Sequence, residues 1–250
     1  MRKVLIPSTA LALCLAVACN RSPNASGSGP PNAAVPTAQA PAQAPGSAAT
    51  PPASRQLQAA EPFEALTETA FSATPPELGN AVTKAEAAAA AIMRDLPTEA
   101  AGRLADQVQQ VKAEHAAGNR AGIALASVEA YRTLVTAAPP AHVPNTVNLL
   151  DYAGFRYQAE LRAQPVRWND AVASAAFAQS QWDQLMPKVT EAVLKVRVTA
   201  AVNDLKAAAA SRDGAEAERA ANAELALVDE LETYFNSRPV DGRGTGGAAP

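Results

Sequence analysis

Apolar residues recur every three to four positions along most of the chain from residue 76 to residue 236, which is the spacing of one helical face. The segment 145–163 shows the pattern most clearly, with an apolar stripe of Val147, Leu150, Gly154, Tyr157 and Leu161. The last segment repeats it with Leu225, Val228, Leu231, Tyr234 and Phe235. The pattern predicts a series of amphipathic helices.

Residues that cap or break helices divide this pattern into separate elements. Thr74 precedes two prolines, Gly118 and Asn119 separate two helical segments, and Asp213 precedes the last one. Pro187 falls inside a long helical pattern and is expected to kink or divide it. The predicted helices cover residues 76–95, 98–117, 120–137, 145–163, 166–185, 188–211 and 213–236, with a short additional helix at 62–72.

One stretch has the alternation of a β-strand. Leu194, Val196 and Val198 alternate with polar residues, as in a half-buried strand. The stretch is short and lies in Ala-rich sequence, so we predict that it is helical.

These elements predict an all-α fold. The region is rich in Ala, Leu, Glu, Gln, Lys and Arg, which are good helix formers. Short loops favour antiparallel packing of consecutive helices. We expect one domain over residues 61–237, an antiparallel up-down helical bundle of long helices. Helix pairs of similar length leave a helical-hairpin solenoid as an alternative, although no repeat of clear sequence identity is present.

The segments that flank this domain differ from it in composition. Residues 20–60 contain eight prolines and only two charges, Arg21 and Arg55. Such a segment has too few large apolar residues to form a core and is predicted to be a disordered linker. As a coil it spans roughly 35 Å. The tail, residues 238–250, is also predicted to be disordered.

The chain begins with the features of a secretory signal peptide. Arg2 and Lys3 precede a mostly apolar run of about 15 residues, which is shorter than the roughly 20 residues that span a bilayer. The run ends in Ala16-Val17-Ala18-Cys19, which resembles the lipobox of bacterial lipoproteins. The resemblance implies a diacylglyceryl thioether on Cys19, cleavage after Ala18 and acylation of the new amino group. An ordinary signal peptide with a chance cysteine is the alternative.

Lipidation would decide where the protein resides. Residues 1–18 would leave as a signal peptide, and residues 19–60 would be the lipidated cysteine and its linker. Two or more acyl chains hold a protein stably on a membrane. Asn20 after the cysteine resembles the sorting signal of outer-membrane lipoproteins in Gram-negative bacteria. We expect a cell-envelope protein, lipid-anchored in the outer membrane and facing the periplasm. Its mature chain would have no thiol for a disulfide or a thiolate metal site.

The charge of the domain limits its partners. Residues 61–237 contain 23 acidic and 15 basic residues, a net charge of −8, whereas the whole chain carries −3. This argues against nucleic acid as a partner and against electrostatic binding to anionic lipid. The expected partners are the membrane, through the lipid anchor, and an envelope protein.

Side chains that carry catalytic or metal chemistry are few. His115 and His142 lie at opposite ends of the helix 120–137, roughly 27 Å apart along its axis, and neither has a glutamate three residues before it. Met93 and Met186 are more typical of a core than of haem ligation. Nucleophile, phosphate-loop and haem-attachment motifs are absent. We predict no metal ion, no cofactor and no enzymatic activity.

Residues 149–158, LLDYAGFRYQ, carry the strongest signal for a binding site. Gly154 in mid-helix costs about 1 kcal/mol relative to Ala, which indicates the close approach of another helix or a ligand. Nine of the eleven aromatic residues lie between residues 131 and 235. The candidate ligand cleft consists of Tyr131, Asp151, Tyr152, Arg156, Trp168 and Trp182. The alternative is an aromatic core in which Asp151 accepts a hydrogen bond from an aromatic residue or pairs with an arginine.

A second group of carboxylates lies on the last helix. Asp229, Glu230 and Glu232 cluster there, as on a solvated helical face, and Glu232 is expected to lie at the edge of the core. Two functions therefore remain open. The first is a non-catalytic binding or structural module of the cell envelope. The second is a bundle that binds a small ligand, a metal ion or haem in the aromatic-rich residues 131–235.

Overall fold

The computed structural model describes residues 54–238, and this part of the chain is all-helical with no strand. The signal peptide, the lipobox, the linker up to residue 53 and the tail from residue 239 lie outside the described residues. The eight α-helices are α1 Arg55–Thr69, α2 Pro75–Ile92, α3 Thr98–Ala116, α4 Arg120–Ala137, α5 Asn145–Arg162, α6 Trp168–Leu185, α7 Ala192–Ser211 and α8 Gly214–Asn236. The predicted all-α bundle is confirmed. Between residues 54 and 238, no helix is long and apolar enough to cross a membrane.

The helices form two four-helix bundles within one compact unit. In the first bundle, α1 to α4 pack in chain order and α4 closes back against α1. In the second, α5 to α8 repeat this arrangement and α8 closes against α5. Packing between α4 and α5 joins the two bundles. Because each set of four closes on itself, the helices do not form the open stack of a solenoid.

Each bundle has its own hydrophobic core, and α5 contributes to both. The first core includes Phe63 of α1 and Tyr152 of α5. The second includes Leu150 and Tyr157 of α5 and Trp182 of α6. A helix at such a junction must bury side chains on several faces. α5 does so, with eleven of its residues buried.

The main difference from the predicted helices lies at the start of the domain. The linker was predicted to extend to residue 60, but α1 begins at Arg55 and continues through Pro62. The Ser54 side chain caps it by accepting a hydrogen bond from a backbone N–H three residues later. Ala60 and Phe63, on either side of the proline, are buried in the first core. Their burial offsets the backbone hydrogen bond that Pro62 cannot make.

The predicted break at Pro187 and the predicted helix at residues 194–198 are both confirmed. Pro187 divides the long helical pattern, because α6 ends at Leu185, a single 3-10 turn follows, and α7 begins at Ala192. The stretch with strand-like alternation is helical and lies in α7. Leu194 is buried in the second core, whereas Val196 is 69% exposed on the outer face of the helix.

Candidate functional site

Two separate polar clusters lie at the junction of the bundles, on different sides of the α4–α5 contact. On one side the junction is covered by α6, whose Phe177 ring meets the Tyr152 ring edge to face at 5.3 Å. On the other side, α1 and α8 flank the junction. We call this second region the α1–α8 groove. Its residues are Glu61, Glu64, Glu68, Asp229, Glu232, Tyr131 and Asp151. The charges of Glu64 and Glu232 act on Tyr131 and Asp151, and those of Glu61, Glu68 and Asp229 act on Glu64, which places these groups close together.

The cluster on the α6 side, which we call the arginine network, is centred on Arg156. Arg156 donates from Nε to Glu160 Oε1 at 2.8 Å and from Nη1 to Tyr152 Oη at 2.6 Å, and it forms an ion pair with Glu129. Tyr152 in turn donates to Glu129 Oε1 at 2.8 Å. The Arg132 guanidinium lies 5.1 Å from the centre of the Tyr152 ring. The network joins α4 to α5 and is typical of a structural ion-pair network.

Glu160 shows how this network satisfies a buried charge. Its carboxylate is fully buried and accepts a hydrogen bond from Ser174 Oγ at 2.8 Å as well as one from Arg156. Burial raises the pKa of Glu160, and the hydrogen bonds from Arg156 and Ser174 oppose that rise. A buried carboxylate is stable when it is paired in this way.

The α1–α8 groove brings carboxylates together without such pairing. Tyr131 Oη donates to Asp151 Oδ2 at 3.1 Å. Burial, followed by the charges of Glu64 and Glu224, raises the pKa of Asp151 well above its usual range. Burial also raises the pKa of Glu64 to about 7, and the nearby charges of Glu68 and Glu232 add to the effect. These carboxyl groups therefore hold protons at a pH where exposed ones are ionised.

Glu224 is the most deeply buried member of the group. It is 1% exposed, and neither of its carboxyl oxygens has a hydrogen-bond partner in the described part of the chain. Burial raises its pKa well above the usual range. Its carboxyl group occupies the space beside Gly154 where a Cβ atom would lie, and a Cβ there would also approach Leu225 Cδ2 to 2.7 Å. Gly154 therefore permits the close approach of another helix, α8.

No basic side chain of the surrounding helices reaches these carboxylates. α1, α4, α5 and α8 contain no lysine or histidine, and their arginines all have partners elsewhere. These are Arg55 with Asp95, Arg120 with the carbonyls of Ala70 and Ala73, Arg132 with the Tyr152 and Phe177 rings, Arg156 with Glu129 and Glu160, Arg162 with Glu218, and Arg219 with Glu216. The groove is therefore an uncompensated acidic surface with buried carboxyl groups beneath it.

The six residues of the candidate cleft do not share one site. Tyr131 and Asp151 lie in the α1–α8 groove, whereas Tyr152 and Arg156 belong to the arginine network on the other side of the junction. Trp182 is buried in the second core, where Nε1 donates to Thr199 Oγ1 at 2.9 Å. Trp168 lies 14 residues earlier on α6, roughly 21 Å along its axis. The Asp–Tyr pair of the alternative interpretation is present.

Glu64 and Glu224 are not among the residues that the sequence predicts for this site. Charged residues on helices usually face solvent, so both glutamates were expected to be exposed. Periodicity gives one signal, because Glu224 lies four residues before the buried Val228 and seven before the buried Leu231. Of the carboxylates noted on α8, Glu232 is half-buried, as expected for the edge of the core. Glu230 is exposed and pairs with Arg197 at 2.5 Å.

The rest of the surface described by the structure has an open cavity but no candidate metal site. No group of three or more His, Cys, Asp or Glu side chains between residues 54 and 238 is arranged to hold a metal ion. An open cavity of about 710 Å³ lies between α1 and α2. The charged residues that line it, Glu61, Glu77 and Lys84, are exposed.

Comparison of the chain with protein families, with curated proteins and with solved structures gives no match.

Proposed function

We propose that the protein is a lipid-anchored protein of the cell envelope whose helical domain is a non-catalytic binding module. The α1–α8 groove is its binding surface. The observation that carries this proposal is the meeting of carboxyl groups from α1, α5 and α8, with no basic side chain of the surrounding helices to pair them. Unpaired buried carboxyl groups lower stability, so a surface that keeps them is suited to a partner that supplies the missing charge.

The anchoring part of the proposal rests on the N-terminal sequence. The lipobox-like residues 16–19 supply a lipidated cysteine, and the Pro-rich linker gives the domain reach from the membrane. A tethered binding module needs both parts. The alternative function, a ligand, metal or haem site in residues 131–235, depended on a shared aromatic cleft. The residues of that cleft are divided between two sides of the junction and the second core.

Intact mass of the protein extracted from its native membrane tests the anchor. We expect a mature chain that begins at Cys19 and carries the mass of its acyl chains. A Cys19→Ala variant should lack this mass and leave the membrane fraction. A full-length wild-type chain, or one cleaved without added lipid, would contradict lipid anchoring.

Site-specific photo-crosslinking in cells tests the binding surface. A photoreactive amino acid in place of Glu68, which is exposed on the groove wall, should form an adduct of defined mass with a partner protein. The matched control carries the same amino acid in place of Asp204, which is exposed on α7 of the second bundle. Adducts of equal yield at both positions would remove the groove as the binding surface. Absence of adducts at both would contradict a binding function.

A further inference from the structure

We infer that the α1–α8 groove binds a lysine- or arginine-bearing segment of a partner protein. The cationic side chain enters between Glu64 and Glu232 and reaches Asp151. This inference names the chemistry of the partner and rests on the function proposed above.

The two sides of the α4–α5 junction provide the comparison that supports a cation. In the arginine network, the fully buried Glu160 is paired with Arg156 and Ser174. In the groove, Asp151 is 8% exposed and has Tyr131 as its hydrogen-bond partner, whereas the neighbouring Glu224 is 1% exposed and both its oxygens lack a partner among residues 54–238. The groove thus has the carboxyl groups of such a network without its arginine. A charge-assisted hydrogen bond from an ammonium or guanidinium group would pair them.

The extent of the acidic surface favours a protein segment. Glu61 and Glu68 are separated by seven residues of α1, roughly 10 Å along the helix axis. Both are exposed above the half-buried Glu64. One cation at Asp151 would leave these outer carboxylates unpaired, whereas a segment with several basic residues would contact them as well. Complementary charge of this kind also accelerates association.

Arg162 bridges one end of the groove. Arg162 of α5 lies with its guanidinium 5.1 Å from the centre of the Phe71 ring, and its Nε donates to Glu218 Oε1 at 3.2 Å. This contact ties the turn after α1 to the first part of α8. Glu61 and Glu232 lie toward the other end, so a bound segment would approach Asp151 from there.

Proton release should accompany binding. The groups that face Asp151 are Tyr131 of α4, Glu64 of α1, and Glu224 and Glu232 of α8. All of them are acidic, and the pKa values of Asp151, Glu64, Glu224 and Glu232 are raised, in each case first by burial. A bound cation lowers the pKa of a neighbouring carboxyl group. Near neutral pH, protonated carboxyl groups therefore lose protons when the segment binds.

Binding of a defined cationic peptide to the full chain in non-ionic detergent tests the inference. The probe is a fluorescent 18-residue helical peptide of leucine and lysine, and the same peptide with acetylated lysines is its control. The Glu64→Gln/Glu232→Gln variant should bind the probe about tenfold more weakly than wild type. The matched Glu191→Gln/Asp204→Asn variant loses the same number of carboxyl groups from exposed positions of the second bundle and should bind within about twofold of wild type. Calorimetry in phosphate and Tris buffers should show net proton release.

Several outcomes would overturn the inference. Equal weakening in both variants would indicate non-specific attraction to an acidic domain. Tight binding of free spermidine that displaces the probe from the groove would identify a small polyamine as the ligand. A crosslinked adduct at position 68 without binding of the lysine probe would contradict the cationic partner and leave the binding function intact. Loss of both signals would contradict both. The melting temperature of each variant is compared with that of wild type, so that weaker binding caused by unfolding is recognised.

Discussion

Glu224→Gln should stabilise the protein at neutral pH, and the gain should grow as the pH rises. Glu224 is buried and has no hydrogen-bond partner within the part of the chain that the structure describes, and burial raises its pKa well above the usual range. A glutamine of nearly the same shape removes the cost of ionising a carboxyl group in that place. We expect the free energy of unfolding of the variant, relative to wild type, to increase by up to about 1.4 kcal/mol per pH unit above pH 5.

The sign follows from proton binding in the two states. In the unfolded chain Glu224 titrates near its ordinary pKa of 4.5. Above that pH the unfolded state loses the proton while the folded state keeps it, so the folded state is destabilised relative to the unfolded one. This contribution to stability is fully present below pH 4.5 and is lost progressively as the pH rises toward the folded-state pKa. The variant lacks this loss.

Urea unfolding of wild type and variant between pH 5 and pH 8 measures the effect. Glu230→Gln on the same helix is the matched control, because Glu230 is exposed and its pKa is lowered by Arg197. Its contribution is lost when the pH falls, so this variant should not gain stability between pH 5 and pH 8. Parallel pH curves for wild type and Glu224→Gln would show that Glu224 does not hold its proton in the folded state.

Functional sites often keep residues that lower the stability of the fold, and a buried carboxyl group that is destabilising at neutral pH fits such a site. Asp151 and Glu64, which belong to the proposed binding surface, have raised pKa values for the same first reason, burial, and the charge of the buried Glu224 adds to the rise at Asp151. The variant that stabilises the free protein should therefore weaken its interaction with a cation. Stability and cation binding of Glu224→Gln are therefore measured together. A gain in stability with unchanged binding would mean that Glu224 only destabilises the fold, whereas a gain in stability with weaker binding would mean that it contributes to binding.

The sequence was sufficient for the fold class and most helix boundaries, because capping residues and prolines act locally. Pro187 lies two residues after the end of α6 and lacks the N–H that would continue the helix. Pro62 shows the limit of this reasoning, since α1 continues through it on the strength of buried neighbours in the first core. The closure into two bundles depends on which helical faces meet, and no repeat in the sequence indicates that choice.

The candidate site was predictable only in part, because it too depends on which helical faces meet. Asp151 and Tyr131 pair as the aromatic-core interpretation allowed, and Gly154 marks a close helix approach. Both signals come from residues that are unusual for their position. Glu64 and Glu224 have ordinary residue types for a helix surface, and only the packing of α1 and α8 around the junction makes them buried.

Replacement of Arg156 should have the second large effect. In Arg156→Met the fully buried Glu160 loses its ion pair, and Glu129 and Tyr152 lose a donor. Removal of one partner from a buried pair leaves an uncompensated charge, so we expect a loss of about 3 kcal/mol in the free energy of unfolding at pH 7. The loss should be larger at pH 8 than at pH 5. Without the arginine, the pKa of Glu160, already raised by burial, rises further, and proton uptake reduces the penalty at low pH.

Arg162→Met provides the matched comparison on the same helix. Arg162 pairs with Glu218, whose side chain is 37% exposed, so its removal should cost at most about 1 kcal/mol. The double variant Arg156→Met/Glu160→Gln should regain part of the loss, because the amide removes the buried charge that the arginine had paired. Equal losses in Arg156→Met and Arg162→Met, with no recovery in the double variant, would mean that the network contributes packing rather than charge compensation. The contrast between a paired and an unpaired side of the junction would then no longer support a cationic partner in the α1–α8 groove.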